Sequence, residues 1–159
     1  MSISRVEILR NELVQIFEGI SIENGYRTDV KRVYPIPMLA DTLSSYPSIS
    51  VILDTEKFGR LDDPSSVKDS LVDVIVLGYV KGNTVPKGDD SLQADFAEPL
   101  LHDIKRKVLA FSISAINGTE NKWNVSGEGK FERFIIPGQN IGWVTASFTV
   151  RVRAQDSNL

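Results

Sequence analysis

The chain has 159 residues, 42% of them hydrophobic and 25% charged, with 18 basic against 21 acidic side chains and a net charge of −3. This composition fits one globular domain and excludes global disorder, collagen-like repeats and the basic excess of a protein held on DNA or anionic lipid. There is no cysteine, and His102 is the single histidine. Disulfides, thiolate nucleophiles, iron–sulfur clusters and zinc sites built on cysteine or several histidines are thereby excluded within one chain. Residues 1–5 lead into charged amphipathic sequence, so no signal peptide is expected. No apolar run reaches bilayer length. Synthesis in the cytosol is expected.

The first element predicted is a helix. Val6, Leu9, Leu13, Ile16, Phe17 and Ile20 recur at three- and four-residue spacing and form one stripe. Ser4 and Glu7 have the spacing of a capping box, and Gly19 and Gly25 bracket the end. Residues 28–34 read as a weak, half-exposed strand that Pro35 and Pro37 stop. Residues 38–47 read as a connection. Over residues 48–55, Ile49, Val51 and Leu53 alternate with Ser50 and Asp54, the pattern of a strand. Residues 56–66, with Gly59, Asp62, Asp63 and Pro64, read as a turn-rich loop.

Residues 68–81 carry the strongest strand signal, apolar on both faces as in a central strand covered on both sides. Their length suggests that the strand projects beyond the sheet, in a hairpin arm with residues 48–55. A loop at 82–88 then leads to a second helix over about residues 90–109. Its stripe is Leu92, Phe96, Leu100, Ile104 and Val108. Asp89, Asp90 and Asp95 stand near its start and Lys105, Arg106 and Lys107 near its end, both matching the helix dipole. Pro99 is then either a kink or the mark of a later start, and a kinked helix is the reading preferred. Residues 112–121 read as a long loop. Short strands follow at 122–125 and 130–136, joined by a turn at Ser126-Gly127-Glu128-Gly129. Residues 143–153 alternate throughout. Val144, Ala146, Phe148, Val150 and Val152 face a core, and Arg151 and Arg153 face away. The class expected is α+β: one domain over residues 1–153, a mainly antiparallel sheet with two helices packed on it, and a flexible tail at 154–159.

Candidate chemistry is sparse. His102 stands beside Asp103, but adjacent helical residues do not face each other, so a base oriented by a carboxylate is disfavoured. Gly127-Glu128-Gly129-Lys130 lacks the first glycine of a phosphate loop and has Phe131 where Ser or Thr is required. The Asp62-Asp63 and Asp89-Asp90 pairs lack the alternation and closing glutamate of a calcium loop. No catalytic, cofactor or metal residues are assigned, and the chain is expected not to be an enzyme. The cations Lys57, Arg60, Lys105, Arg106, Lys107, Arg151 and Arg153 are the candidate contacts for a partner or for passing DNA, the last five as one basic patch.

The order of these segments resembles a known family. An amphipathic helix at residues 6–20 is followed by Gly25-Tyr26, a charged strand at 29–33 and Pro47-Ser48-Ile49-Ser50-Val51-Ile52-Leu53. A long apolar strand ends in Val80-Lys81-Gly82, a helix carries Leu100-Leu101-His102-Asp103-Ile104-Lys105-Arg106, and a strand at 144–152 closes the chain. Over residues 3–153 this is similar to the tail terminator, or tail completion, proteins of long-tailed bacteriophages. The resemblance implies an α+β fold assembled as a hexameric ring on the head-proximal end of the tail tube. Such a ring stops tube polymerisation and offers a surface for head joining. Its implied partners are its own copies, the tail tube protein, a head-completion or neck protein, and DNA in transit through the lumen, with no membrane. The implied location is the virion, after assembly in the host cytoplasm. The rival readings are another head–tail connector and a small non-enzymatic adaptor that binds a peptide at a sheet edge.

Overall fold

The computed structural model describes residues 4–39, 42–58, 70–82, 96–117, 123–135 and 140–152. In chain order the elements are α1 (Arg5–Glu18), β1 (Arg32–Tyr34), β2 (Ser48–Phe58), β3 (Ser70–Lys81), α2 (Glu98–Asn117), β4 (Trp123–Ile135) and β5 (Ile141–Val152). The strands form one sheet in the order β1-β2-β3-β5-β4. β1 runs parallel to β2, and the other three neighbouring pairs are antiparallel. This is the α+β class, with two helices and a mainly antiparallel sheet.

The β3–β5 pair organises the core. Val72, Val74, Val76 and Gly78 stand opposite Val150, Phe148, Ala146 and Val144. All eight are buried, and the residues between them are partly exposed. Leu9, Leu13, Phe17 and Ile20 from the α1 region and Leu100, Ile104, Val108 and Phe111 from α2 fill the same core. Both helices therefore cover one face of the sheet. The Phe111 and Phe148 rings meet at 6.4 Å and a 50° tilt, within the range aromatic pairs favour. Gly78 lies beneath Leu100 and Ile104 of α2. A β-carbon there would sit 2.7 Å from both Leu100 Cδ2 and Val144 Cγ2.

Helix α1 begins as its capping box requires. Glu7 donates its backbone N–H to Ser4 Oγ (3.2 Å), and its carboxylate accepts the Ser4 backbone N–H (2.8 Å). The Ser4 backbone N–H, and with it the Ser4 hydroxyl, holds the Glu7 carboxyl below its ordinary range. Trp123 Nε1 donates to Glu12 Oε2 at 2.6 Å, tying the start of β4 to the flank of α1.

Several expectations are corrected. β1 is three residues long rather than seven, and it is parallel to β2. β2 continues through Glu56, Lys57 and Phe58 with a break in register between Leu53 and Glu56, so the expected loop starts later. β3 is central, but only one of its faces is helix-covered. Leu71, Asp73, Ile75 and Leu77 remain partly exposed on the other. It is paired with β5 at every position from Ser70 to Lys81, so the described part of the β2–β3 hairpin belongs to the sheet rather than to an arm. Residues 59–69 and 83–95, including Asp62, Asp63, Asp89, Asp90, Leu92 and Asp95, lie outside the described residues, as do Pro137-Gly138 and the tail from 153.

Helix α2 starts at Glu98, which puts Pro99 in its first turn, where a missing N–H costs nothing. The helix then runs to Asn117, through residues expected to form a loop. Ser112 is accommodated by donating its hydroxyl to the Val108 carbonyl one turn back (3.1 Å). As a result Lys105, Arg106 and Lys107 fall in mid-helix and do not complement its C-terminus. The two short strands expected near the end are one strand, β4. The Ser126–Lys130 stretch is an irregularity of register inside it, not a hairpin turn.

The phase of β5 gives a direct test. Phe148 is 5% exposed within the core and Arg151 is exposed on the opposite face. Phe148→Ala is expected to lower unfolding stability in urea by about 3–5 kcal/mol. Arg151→Ala should cost about 1 kcal/mol or less.

Candidate functional site

The sequence offers seven cations as contacts, and the structure separates those it describes. Arg60 and Arg153 lie outside the described residues. Lys57 is exposed near the far end of β2. Arg151 projects from β5 on the face away from both helices. The run on α2 splits in two. Lys105 Nζ lies 5.6 Å from the centre of the Phe131 ring on β4. Arg106 and Lys107 reach the Tyr26 ring at 4.3 and 4.9 Å, close enough for cation–π attraction. Arg106 also donates from Nη1 to the Gly25 carbonyl at 3.0 Å. Arg151 therefore stands on the other side of the sheet from Lys105, Arg106 and Lys107, and the expected joint patch does not form.

His102 and Asp103 also diverge. His102 is exposed, whereas Asp103 is fully buried. Asp103 accepts the Arg27 N–H on both carboxylate oxygens (3.0 Å each), the Thr28 N–H (2.8 Å) and the Thr28 hydroxyl (2.6 Å). Charged acceptors make the stronger hydrogen bonds, and these close a buried carboxylate on donors that have no helix or strand partner. They fasten the turn between α1 and β1 to the second turn of α2. Within that turn Gly25 takes φ +87°, which a residue with a β-carbon adopts at a cost. Ile22 N–H donates to Asp29 Oδ1 at 2.7 Å. Asp103 is thus a structural group. No neighbouring residue signals its role, because its partners lie 75 and 76 positions away.

Tyr79 performs a similar task on the other face. Its hydroxyl donates to the Met38 carbonyl (2.6 Å) and accepts the Met38 N–H (3.3 Å). With Tyr34 and Leu43 it forms a second small core, against which Met38, Tyr46 and Leu77 pack. The connection between β1 and β2 is thereby laid over one end of the face the helices leave open.

The rest of that face is the candidate interaction surface. Leu71, Ile75 and Leu77 of β3, Ile52 of β2 and Trp143 of β5 are partly exposed on it. Thr145, Ser147 and Thr149 run between them. Phe134 of β4 is 43% exposed and pairs with Trp143 at 5.7 Å. Lys130 and Glu132 form an exposed ion pair at 2.9 Å. A shallow depression of about 290 Å³ is lined by Asp54, Asp73, Val74, Ile75, Ser147, Phe148 and Thr149. Asp73 Oδ1 in it accepts the Thr149 hydroxyl at 2.8 Å. Among the described residues no cluster of three His, Cys, Asp or Glu side chains is placed to hold a metal. Among them, too, no helix is long and apolar enough to cross a membrane. The arrangement suits contact with another macromolecule, through mixed apolar and hydroxyl groups.

No protein-family model and no curated protein matches the chain. Among solved structures it is similar to a chain from a particle described as the virion of a native gene transfer agent. The two share 12% sequence identity with a TM-score of 0.50, and the match covers 96% of this chain and 100% of that one. At this identity the likeness is one of fold.

Removing the Asp103 carboxylate tests the fastening of the turn. Asp103→Ala is expected to cost about 2–4 kcal/mol in urea unfolding, since it removes the acceptor of four partly buried hydrogen bonds. The neighbouring His102→Ala should change stability by no more than about 0.5 kcal/mol. Equal effects would contradict the assigned geometry.

Proposed function

We propose that this chain is a structural virion protein that closes as a ring on the head-proximal end of a phage tail tube. There it stops tube growth and offers the surface to which the head joins. The observation that carries this reading is the likeness of fold over the whole length of a chain from a gene transfer agent virion, joined to the order of segments that resembles tail terminators. A match over 96% of this chain and 100% of the other is what a shared single-domain building block gives. The site fits the same reading. Its open sheet face has apolar and hydroxyl groups suited to a protein contact.

The physical logic of termination is simple. A growing tube presents the same acceptor surface after each layer, so growth stops when a subunit accepts that surface and offers no equivalent one beyond it. A ring of heterologous contacts whose rotation closes satisfies this, because each copy uses its lateral surfaces on its neighbours. Non-specific DNA passage through the lumen and contacts to the tube and neck proteins belong to this proposal.

Tails assembled without the protein test it. Filled heads and unattached tails of irregular, excessive length are expected by electron microscopy. Unattached tails of normal length would refute termination and favour a neck connector.

A further inference from the structure

We infer that the ring closes by strand pairing across subunits: the outer edge of β4 in one copy pairs with the outer edge of β2 in the next, joining the sheets. This rests on the ring reading above and names the surfaces that make it. β2 and β4 flank the sheet on opposite sides, which head-to-tail association requires. β1 pairs only with Ser48, Ile49 and Ser50. Among the described residues, no strand pairs with the outer edge of β2 beyond Ser50 or with that of β4. Open edges of this kind present backbone donors and acceptors to another chain.

The two edges also match in height and direction. Ile52 faces Ile75, Ile75 faces Ser147, and Ser147 faces Lys130, so the open part of β2 is level with the first half of β4. Three successive antiparallel pairings make β2 and β4 run in opposite directions. A rotation about an axis along the strands keeps heights and directions. It therefore brings β2 of the next copy against β4 as an antiparallel neighbour, with no shift along the strand. The two register irregularities lie within one residue of the same height, since Val74 and Val72 face Phe148 and Val150. The one in β2 falls between Leu53 and Glu56, opposite Val74 and Val72, and the one in β4 falls between Ser126 and Lys130, opposite Thr149 and Ser147. Irregularities of this kind raise local twist, so both edges bend at nearly one level.

The chain has no cysteine, so introduced thiols report on these edges alone. Asp54 and Lys130 are exposed, and the doubly substituted Asp54→Cys, Lys130→Cys chain is expected to keep the parent's melting temperature. Treated with a short bismaleimide, the full-length double variant should give a ladder of multiples of the chain mass that ends at the mass of the closed species. A mixture of the two single variants should stop at pairs. A discrete closed species by native mass without the ladder would overturn the edge pairing and leave the ring standing. A chain that stays monomeric at every concentration and gives no ladder would overturn both, and the irregularities would then be guards that keep the edges apart.

Discussion

The structure depends on the β3–β5 ladder. Two strands separated by a helix and a strand pair at twelve successive positions. Their alternation sends valine, alanine and phenylalanine to one face and mostly polar or partly exposed groups to the other. Because β3 has both neighbours along its length, it sets the register of β2 on one side and, through β5, of β4 on the other. The helix-covered core, the open face and the two outer edges all follow from that pairing. Each buried large side chain of the ladder contributes about 1.5–3 kcal/mol, so a slip of one residue would expose the whole row at once.

Two buried polar anchors then hold what the ladder cannot. Asp103 draws the turn after α1 onto α2, and Tyr79 draws the connection after β1 onto the open face. Neither works by area alone. Each satisfies backbone groups of an irregular segment that would otherwise be left without partners beside a packed core. The proposed role needs this rigidity, since a ring that must match a tube end gains from surfaces fixed before assembly.

Some of this was legible in the sequence, for identifiable reasons. The period-two pattern over residues 144–152 is unbroken, so the phase of β5 and the exposure of Arg151 could be read directly. The Ser4–Glu7 spacing marked the start of α1. The far end of α2 does not show in the sequence because Ser112 and the polar residues after it resemble a loop, while the helix absorbs Ser112 by a bond to its own backbone. Gly127 and Gly129 suggest a turn, but pairing with β5 resumes at Lys130 in the same direction, so they form an irregularity within one strand. The basic run on α2 resembles a patch in the sequence, whereas a helix turns successive cations to Phe131 on one side and Tyr26 on the other. Asp103 and Tyr79 could not be read, because partners tens of residues away leave no local pattern.

The proposed role is tested most directly by locating the protein in assembled particles. Gold-labelled antibody against this chain, viewed on intact and head-free tails, should mark one end of each tail, the end that joins the head. Label along the tail shaft, or on the head alone, would contradict the account.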